Sequence, residues 1–216
     1  AFFGMQSGYQ NTSGGSNAYF GYQAGYSNTA GASNSFFGYQ SGYQNAASYN
    51  SAFGAYALNA NITGIYNTAF GYSALKANTG DDNTAFGAFA LGVNSIGIQN
   101  SAFGGGALDN NTSGAGNNAF GYLALNVSTT GSDNNAFGVN ALASNSSGFS
   151  NIAVGNDALS ANTTGSSNTA IGHNALGSNT TSSFNTAIGA FAMEHIANGS
   201  PGNVAVGWTA LNSSLN

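Results

Sequence analysis

The sequence has very few charged residues. Of 216 residues, one is Lys or Arg and six are Asp or Glu, which makes 3% of the chain charged and its net charge −5. Soluble domains ordinarily carry about 25% charged residues. A single cation leaves no basic surface for phosphate backbones or anionic lipid, which excludes nucleic acid as a partner. Acid–base catalysis needs titratable side chains, so we expect neither an enzyme nor a bound cofactor.

Cysteine is absent, and proline occurs once. The lack of cysteine excludes disulfide frameworks, thiolate chemistry and cysteine-based zinc sites. No uninterrupted apolar run approaches the roughly 18 residues of a membrane-spanning helix, and no basic segment typical of a signal peptide opens the sequence. We therefore expect no membrane-spanning segment, and we interpret residues 1–216 as a single repeat domain from a mature or partial chain.

Glycine is abundant and marks an internal repeat. A Gly preceded by an apolar residue recurs every 16 to 18 positions, most often every 17, and defines thirteen copies that fill the chain. We call it the repeat Gly; it occurs at Gly4, Gly21, Gly38, Gly54, Gly71, Gly87, Gly104, Gly121, Gly138, Gly155, Gly172, Gly189 and Gly207. Phe, Ile or Val precedes it, and Asn lies four positions before it from the second copy onward. In the later ten copies, Ala stands two positions before it and Leu or Met four positions after it.

This repeat predicts an all-β fold. A unit of about 17 residues is too short for a helix pair, and its apolar positions do not follow a 3.6-residue period. Stacked hairpins would require frequent Asn-Gly turns, but the sequence contains one such pair, Asn198-Gly199. Segments rich in Asn, Thr and Gly supply corners between short extended segments. We predict a parallel β-solenoid of about thirteen 17-residue coils with two short strands per coil.

Side-chain alternation along a strand assigns residues to faces. We expect the bulky residue before the repeat Gly to lie inside together with the Leu. The outer face would then be a flat surface of Ala and Gly that permits close approach of another subunit. Asn four positions before and seven positions after the repeat Gly allows two interpretations. The amides form ladders along the stack, or they tolerate the backbone dihedrals of the turns.

Several copies carry a known signature. The segments NTAIGHNAL, NTAIGAFAM, NIAVGNDAL and NVAVGWTAL resemble the head repeats of trimeric bacterial autotransporter adhesins, and similar repeats recur in phage tail-fibre-like proteins. The resemblance covers all thirteen copies and rests mainly on the short core Ala-[Ile/Val/Phe]-Gly. It implies a left-handed parallel β-roll, often trimeric, that is exposed outside the cell and used for attachment.

The first three copies depart from the pattern together. Leu is replaced by Gly, the next residue is Tyr, and the Ala before the bulky residue becomes aromatic. We predict an interaction patch on the outer face that docks with another subunit or a carbohydrate. It would consist of Phe2, Tyr9, Tyr19, Tyr26, Phe36 and Tyr43. The alternative is a repacked core in which these aromatic side chains point inward.

Three other patterns suggest sites. Thr recurs eight positions after the repeat Gly, and such a column could order water in an ice-binding solenoid. Glu194, His195 and His173 suggest a metal or acid–base site, and Asp81-Asp82 suggests a cation site. Isolated ionisable residues are usually solvated, and calcium-binding repeats need acidic residues in every coil. We expect no catalytic or metal site here.

The sequence therefore predicts an extracellular or cell-surface structural protein. The expected form is an adhesin head or fibre-like solenoid that associates with copies of itself, as a homotrimer or as a head-to-tail filament. Its other partners would be carbohydrate or a host or abiotic surface. A phage tail-fibre shaft and an ice-binding solenoid are the alternatives.

Overall fold

Thirteen short strands make up the regular structure. The computed structural model describes residues 1–195 and 201–212, so Asn198-Gly199 lies outside the described residues. No helix occurs within these ranges, and thus none that could cross a membrane. The strands are β1 Phe2–Phe3, β2 Ala18–Phe20, β3 Ser35–Phe37, β4 Ser51–Phe53, β5 Thr68–Phe70, β6 Thr84–Phe86, β7 Ser101–Phe103, β8 Asn118–Phe120, β9 Asn135–Phe137, β10 Ile152–Val154, β11 Thr169–Ile171, β12 Thr186–Ile188 and β13 Val204–Val206.

All thirteen strands form one parallel sheet in chain order. Ala69 of β5 pairs with Ala52 of β4 and with Ala85 of β6, so equivalent residues lie opposite one another. Each position of the repeat therefore forms a column that runs along the stack, and we call each repeat unit a coil. This arrangement confirms the predicted parallel β-solenoid with coils of about 17 residues.

In the part of the chain that the structure describes, the expected second strand of each coil does not form. After the repeat Gly54, the N–H of Ala57 donates to the carbonyl of Gly54, and the N–H of Asn59 donates to that of Tyr56, both at 3.3 Å. Tyr56 and Leu58 are the third residues of these turns and have φ values of 60° and 50°. Type II turns require a positive φ at that position, whereas strands require a negative one. Each coil thus has one strand and a wall of consecutive turns.

Hydrogen bonds along the stack stabilise this wall of turns. The N–H of Tyr56 donates to the carbonyl of Tyr39 in the preceding coil at 2.9 Å. The N–H of Leu58 donates in the opposite direction, to the carbonyl of Ala74 in the next coil, at 3.0 Å. A non-glycine residue at positive φ costs on the order of 1 kcal/mol. The inter-coil bonds offset that strain, which is why the same conformation recurs from coil to coil.

The repeat Gly is required by close stacking of the backbone. Its φ lies between 128° and 148° in all thirteen copies. A Cβ atom placed on Gly54 would lie 2.4 Å from the carbonyl oxygen of Gly71 in the next coil. No larger residue fits there without separating the coils.

The side chains inside the solenoid differ in part from those expected. Ala69, at the centre of its strand, is fully buried, whereas the following Phe70 is 40% exposed. Leu75 is buried, which confirms the interior position of the Leu column. The expectation that the bulky strand residue lies inside and the Ala outside is wrong. The space between one sheet and the wall of turns holds one large side chain per coil, and Leu already occupies it.

Coils two and three fill the same space with an aromatic ring. Tyr19 and Phe36 take the place of the central strand Ala and are fully buried. A Cβ atom on Gly25 would lie 2.5 Å from the Tyr19 ring, and one on Gly42 would lie 2.4 Å from the Phe36 ring. The ring occupies the volume that Leu fills elsewhere, which confirms the repacked core for these residues.

The two Asn columns form amide ladders. Asn100 accepts a hydrogen bond from the N–H of Asn117 in the next coil at 3.0 Å and donates to the carbonyl of Gly114 at 2.9 Å. In the other column, Asn94 donates to the Oδ1 of Asn78 at 2.6 Å and to the carbonyl of Gly97 at 2.8 Å. No Asn of either column has a positive φ in the described coils. Hydrogen bonding, and not tolerance of turn dihedrals, explains these columns.

One ladder is interrupted at Ser128, which takes the place of Asn seven positions after Gly121. Its Oγ is buried without a hydrogen-bond partner, and so is the Oδ1 of Asn111 in the preceding coil. In the following coil, the Asn145 amide donates to the carbonyl of Gly148 at 2.9 Å. An Asn at this position would donate to Asn111 and continue the ladder.

We predict that Ser128→Asn stabilises the protein. Satisfying buried polar groups contributes about 1–2 kcal/mol, and for a chain of this length each kcal/mol raises the melting temperature by about 2–4 °C. Thermal unfolding followed by circular dichroism measures the shift. Asn94→Ser creates a second interruption as the matched control and should lower the melting temperature. A decrease for Ser128→Asn would show that the ladder does not stabilise the stack.

A double-mutant cycle tests the shared interior volume. Phe36→Ala leaves a cavity and should cost about 3–5 kcal/mol. Gly42→Leu alone should also destabilise, because its side chain collides with the Phe36 ring. Combining the two changes recreates the Ala and Leu pair of the later coils and should recover most of the loss, as measured by urea denaturation. Additive losses would contradict the interpretation that both positions fill one space.

Candidate interaction surface

The outer face of the sheet carries a continuous row of apolar side chains. The row consists of the residue before each repeat Gly, and we call it the apolar stripe. Its members are Phe3, Phe20, Phe37, Phe53, Phe70, Phe86, Phe103, Phe120, Phe137, Val154, Ile171, Ile188 and Val206. Side chains inside the stack, such as Phe70, Phe86 and Ile171, are about two-fifths exposed. The stripe thus runs the length of the sheet at the surface.

The nine Phe rings of the stripe stack on one another. Successive ring centroids lie 4.4–5.1 Å apart, and the interplanar angles are 2–16°. Offset stacking of this kind stabilises each pair by about 0.5–1.5 kcal/mol beyond area burial. The rings hold one another in a single orientation, so the outer edge of the row is a regular, rigid surface.

No charged residue lies on this face. None of the thirteen strands contains Asp, Glu, Lys or Arg. Beside the stripe runs a column of Ser, Thr and Asn, in which the Asn118 amide donates to the Oδ1 of Asn135 at 2.9 Å. Ile152 and Val204 replace these polar residues in two of the last coils and are exposed, so the apolar surface is wider there.

The structure divides the predicted aromatic patch between two environments. Tyr19 and Phe36 lie in the core, and Phe2 stacks on Tyr19 with ring centroids 4.9 Å apart. Phe2 remains 45% exposed because β1 has a neighbouring strand on one side only. These three residues belong to the interior column and do not form an outer patch, which corrects the sequence interpretation.

The other three residues of the predicted patch form a column at the surface. Tyr9 is 66% exposed and stacks on Tyr26 with centroids 5.3 Å apart, and Tyr26 stacks on Tyr43 at 5.1 Å. Tyr26 is covered on both ring faces by its neighbours, whereas Tyr9, in the first coil, has a stacked ring on one face only. This part of the predicted patch therefore lies at the surface as a short stacked column.

The Tyr19 hydroxyl is accommodated by the Asn ladder. The amide of Asn28 donates a hydrogen bond to the phenol oxygen. Burial raises the pKa of the Tyr19 phenol above its ordinary value, and the hydrogen bond from Asn28 opposes that shift. The phenol is therefore neutral at physiological pH, and its role is to pack in the core.

Most hydroxyls of the Thr column donate along the stack. Thr112 donates to the carbonyl of Thr129 in the next coil at 2.8 Å, and Thr163 donates in the same way to Thr180 at 2.9 Å. These hydroxyl protons are used along the stack, so they are not available to order a water layer. The contacts favour a structural role for this column over ice binding.

The ionisable residues singled out in the sequence do not converge. His195 Nε2 lies 3.7 Å from Glu194, whereas His173 packs edge-on against the ring of Phe191 with centroids 5.1 Å apart. Asp81 accepts a hydrogen bond from the N–H of Ile65 at 2.9 Å. Within residues 1–195 and 201–212, no three His, Asp or Glu side chains lie close enough to hold a metal ion.

Sequence reasoning missed the apolar stripe as a surface feature. The signal that could have revealed it is the exchange in the first three copies. Where the central strand residue becomes aromatic, the Leu six positions later becomes Gly. This compensation places both positions in one interior space, and alternation along the strand then places the residue before the repeat Gly outside.

Comparisons of the chain with protein-family models, with curated proteins and with solved structures gave no match.

Proposed function

We propose that the protein is an extracellular structural solenoid, an adhesin-head-like or fibre-like rod whose copies associate side by side through the apolar stripe. The single observation that carries this proposal is the uninterrupted row of exposed or partly exposed Phe, Ile and Val on one face of the sheet. Soluble monomers rarely expose apolar patches larger than a few hundred Å². A row that persists through thirteen coils is therefore explained by contact with a partner surface.

The size of the stripe suits an interface between copies. Phe side chains of roughly 200 Å², exposed inside the stack by about two-fifths or less, contribute up to roughly 700 Å² across nine coils. The Val and Ile residues bring the stripe to about 1,000 Å², and a stable interface buries about 800 Å² on each partner. Because the stripe repeats in register at every coil, an identical stripe on a second copy has the same spacing of side chains.

The charge distribution supports self-association as well. The chain carries a net charge of −5 spread over 216 residues, and the strand face carries none of it. Repulsion between copies is therefore weak where the stripes would meet. The resemblance to adhesin-head and tail-fibre-like repeats supports the same assignment, with a homotrimer as the form that pairs the stripes; a head-to-tail filament would join the rods through their end strands instead.

Attachment would be a property of the assembled rod. A rigid shaft with neutral amide and hydroxyl columns can display contact surfaces to a carbohydrate or a host or abiotic surface. From the resemblance to adhesin-head and tail-fibre-like repeats, we also propose that the protein lies outside the cell.

The proposal predicts that shortening the stripe weakens self-association. Phe70→Thr, Phe86→Thr and Phe103→Thr combined should increase the dissociation constant of the assembly by at least about tenfold, because an apolar interface depends on its buried central residues. Sedimentation equilibrium on the full chain measures the assembly state, and negative-stain microscopy shows whether rods pair or bundle.

The matched control removes three exposed rings from another column. Tyr49, Tyr66 and Phe184 each precede an Asn of the ladder and have φ values of 63°, 58° and 62°. Tyr49→Asn, Tyr66→Asn and Phe184→Asn combined should leave the assembly unchanged. Equal loss in both triple variants, or a wild-type chain that is monomeric at every concentration, would refute association through the stripe.

A further inference from the structure

A small cavity lies on the wall of turns, away from the apolar stripe. Its volume is about 220 Å³, and it is lined by Ser73, Lys76, Phe89, Gly92, Val93 and Asp109. The lining spans three consecutive coils. The lining includes Lys76, the one Lys of a sequence that has no Arg, and Asp109, one of the six acidic residues of the sequence.

The cavity exists because a side chain is missing from one column. Five positions after the repeat Gly, successive coils carry Asn59, Lys76, Gly92, Asp109 and Asn126. Gly92 leaves a gap in that column between a cation and an anion. A Cβ atom on Gly92 would lie 2.3 Å from the Oδ1 of Asp109, so the carboxylate bends over the gap.

The two charges flank the gap without pairing. The ammonium of Lys76 lies 5.8 Å from the centroid of the Tyr56 ring, on the side away from Asp109. In the described part of the chain, neither Lys76 nor Asp109 forms an ion pair. Burial raises the pKa of the Asp109 carboxyl above its ordinary value, and a hydrogen bond from the Gly92 backbone opposes that shift. A partly desolvated carboxylate of this kind gains from a bound cation.

An aromatic ring completes the site. Phe89 is 48% exposed and meets Tyr72 edge-on, with centroids 5.3 Å apart and an interplanar angle of 76°. The ring is therefore not covered by a parallel neighbour, unlike the rings of the stripe. A ring face beside a carboxylate is a favourable environment for an organic cation.

We propose that this cavity binds a free amino acid with a basic side chain. The side-chain cation would contact Asp109 and the Phe89 ring, and the α-carboxylate would contact Lys76, whose ammonium would turn from the Tyr56 ring toward the cavity. Lys76 and Asp109 are two coils apart, roughly 10 Å along the stack. The long Lys side chain spans the part of this distance that the ligand does not. The volume is below the range for drug-sized ligands, which suits a single amino acid.

Titration calorimetry on the full chain tests the proposal with three probes. L-arginine carries both charges, agmatine lacks the carboxylate, and L-citrulline replaces the guanidinium with a neutral group of the same shape. L-arginine should bind with saturation at one site per chain, and the other two should each bind at least about tenfold more weakly, because charge-assisted hydrogen bonds are lost. Equal affinity for L-citrulline, or no saturable binding of L-arginine, would overturn the proposal.

Two variants locate the site. Gly92→Asn fills the gap with a residue that occurs in the same column at positions 59 and 126, and should abolish binding of L-arginine. Ala143→Asn introduces the same side chain in the same column two coils beyond Asp109 and should leave the affinity unchanged. Unaltered binding in Gly92→Asn would place the ligand elsewhere. Asp109→Asn should weaken binding of L-arginine by about tenfold while leaving that of L-citrulline unchanged, and this comparison does not depend on the Gly92 variant.

Discussion

The close, in-register stacking of one coil on the next is the constraint on which the rest of the structure depends. At the repeat Gly, the backbones approach so closely that a Cβ atom on Gly54 would meet the carbonyl oxygen of Gly71 at 2.4 Å. This contact fixes the register, because a shift of one residue would place a side chain in the gap. Every other position then lies above its own equivalent, and each residue is selected for how it packs against copies of itself.

Columns of equivalent residues explain why the chain is almost uncharged. Like charges about 5 Å apart would repel along the whole rod, whereas amides both donate and accept. The Asn ladders use this property: Oδ1 atoms accept from the next coil, and Nδ2 atoms donate to turn carbonyls. Where the column contains Ser128 instead, both Ser128 and Asn111 have a buried polar atom without a partner. The ladder thus provides hydrogen bonds that the buried amides would otherwise lack.

The fold was predictable from the sequence because the period and the repeat Gly are visible in every copy. The single strand per coil was not, because the left-handed conformations of residues such as Leu58 depend on inter-coil hydrogen bonds. Propensity alone argues against a positive φ at Leu. The inward face was also misassigned, since alternation within a three-residue strand offers two opposite assignments, and a preference for burying Phe selected the wrong one.

The candidate surfaces were harder to predict, for a related reason. An aromatic residue such as Tyr9 indicates a surface only if its column is known to face outward. Tyr19, which also belongs to the aromatic first three copies, faces inward. The cavity near Gly92 depends on three residues that are 16 and 17 positions apart and become neighbours only through stacking. No local motif marks such a site, because its parts belong to different copies of the repeat.

The exposed stripe follows from the width of the solenoid. Each coil encloses room for one large side chain, supplied either by Leu from the wall or by an aromatic ring from the strand. The repeat nevertheless contains a second large apolar residue, before the repeat Gly, and that residue has only the outer face available. If these residues were needed only to form the strand, Thr could replace some of them, because Thr has high β-propensity and a hydroxyl that water solvates. Its unbroken apolar character over thirteen coils therefore points to contact with another surface, and the matching stripe of a second copy provides one with the same spacing.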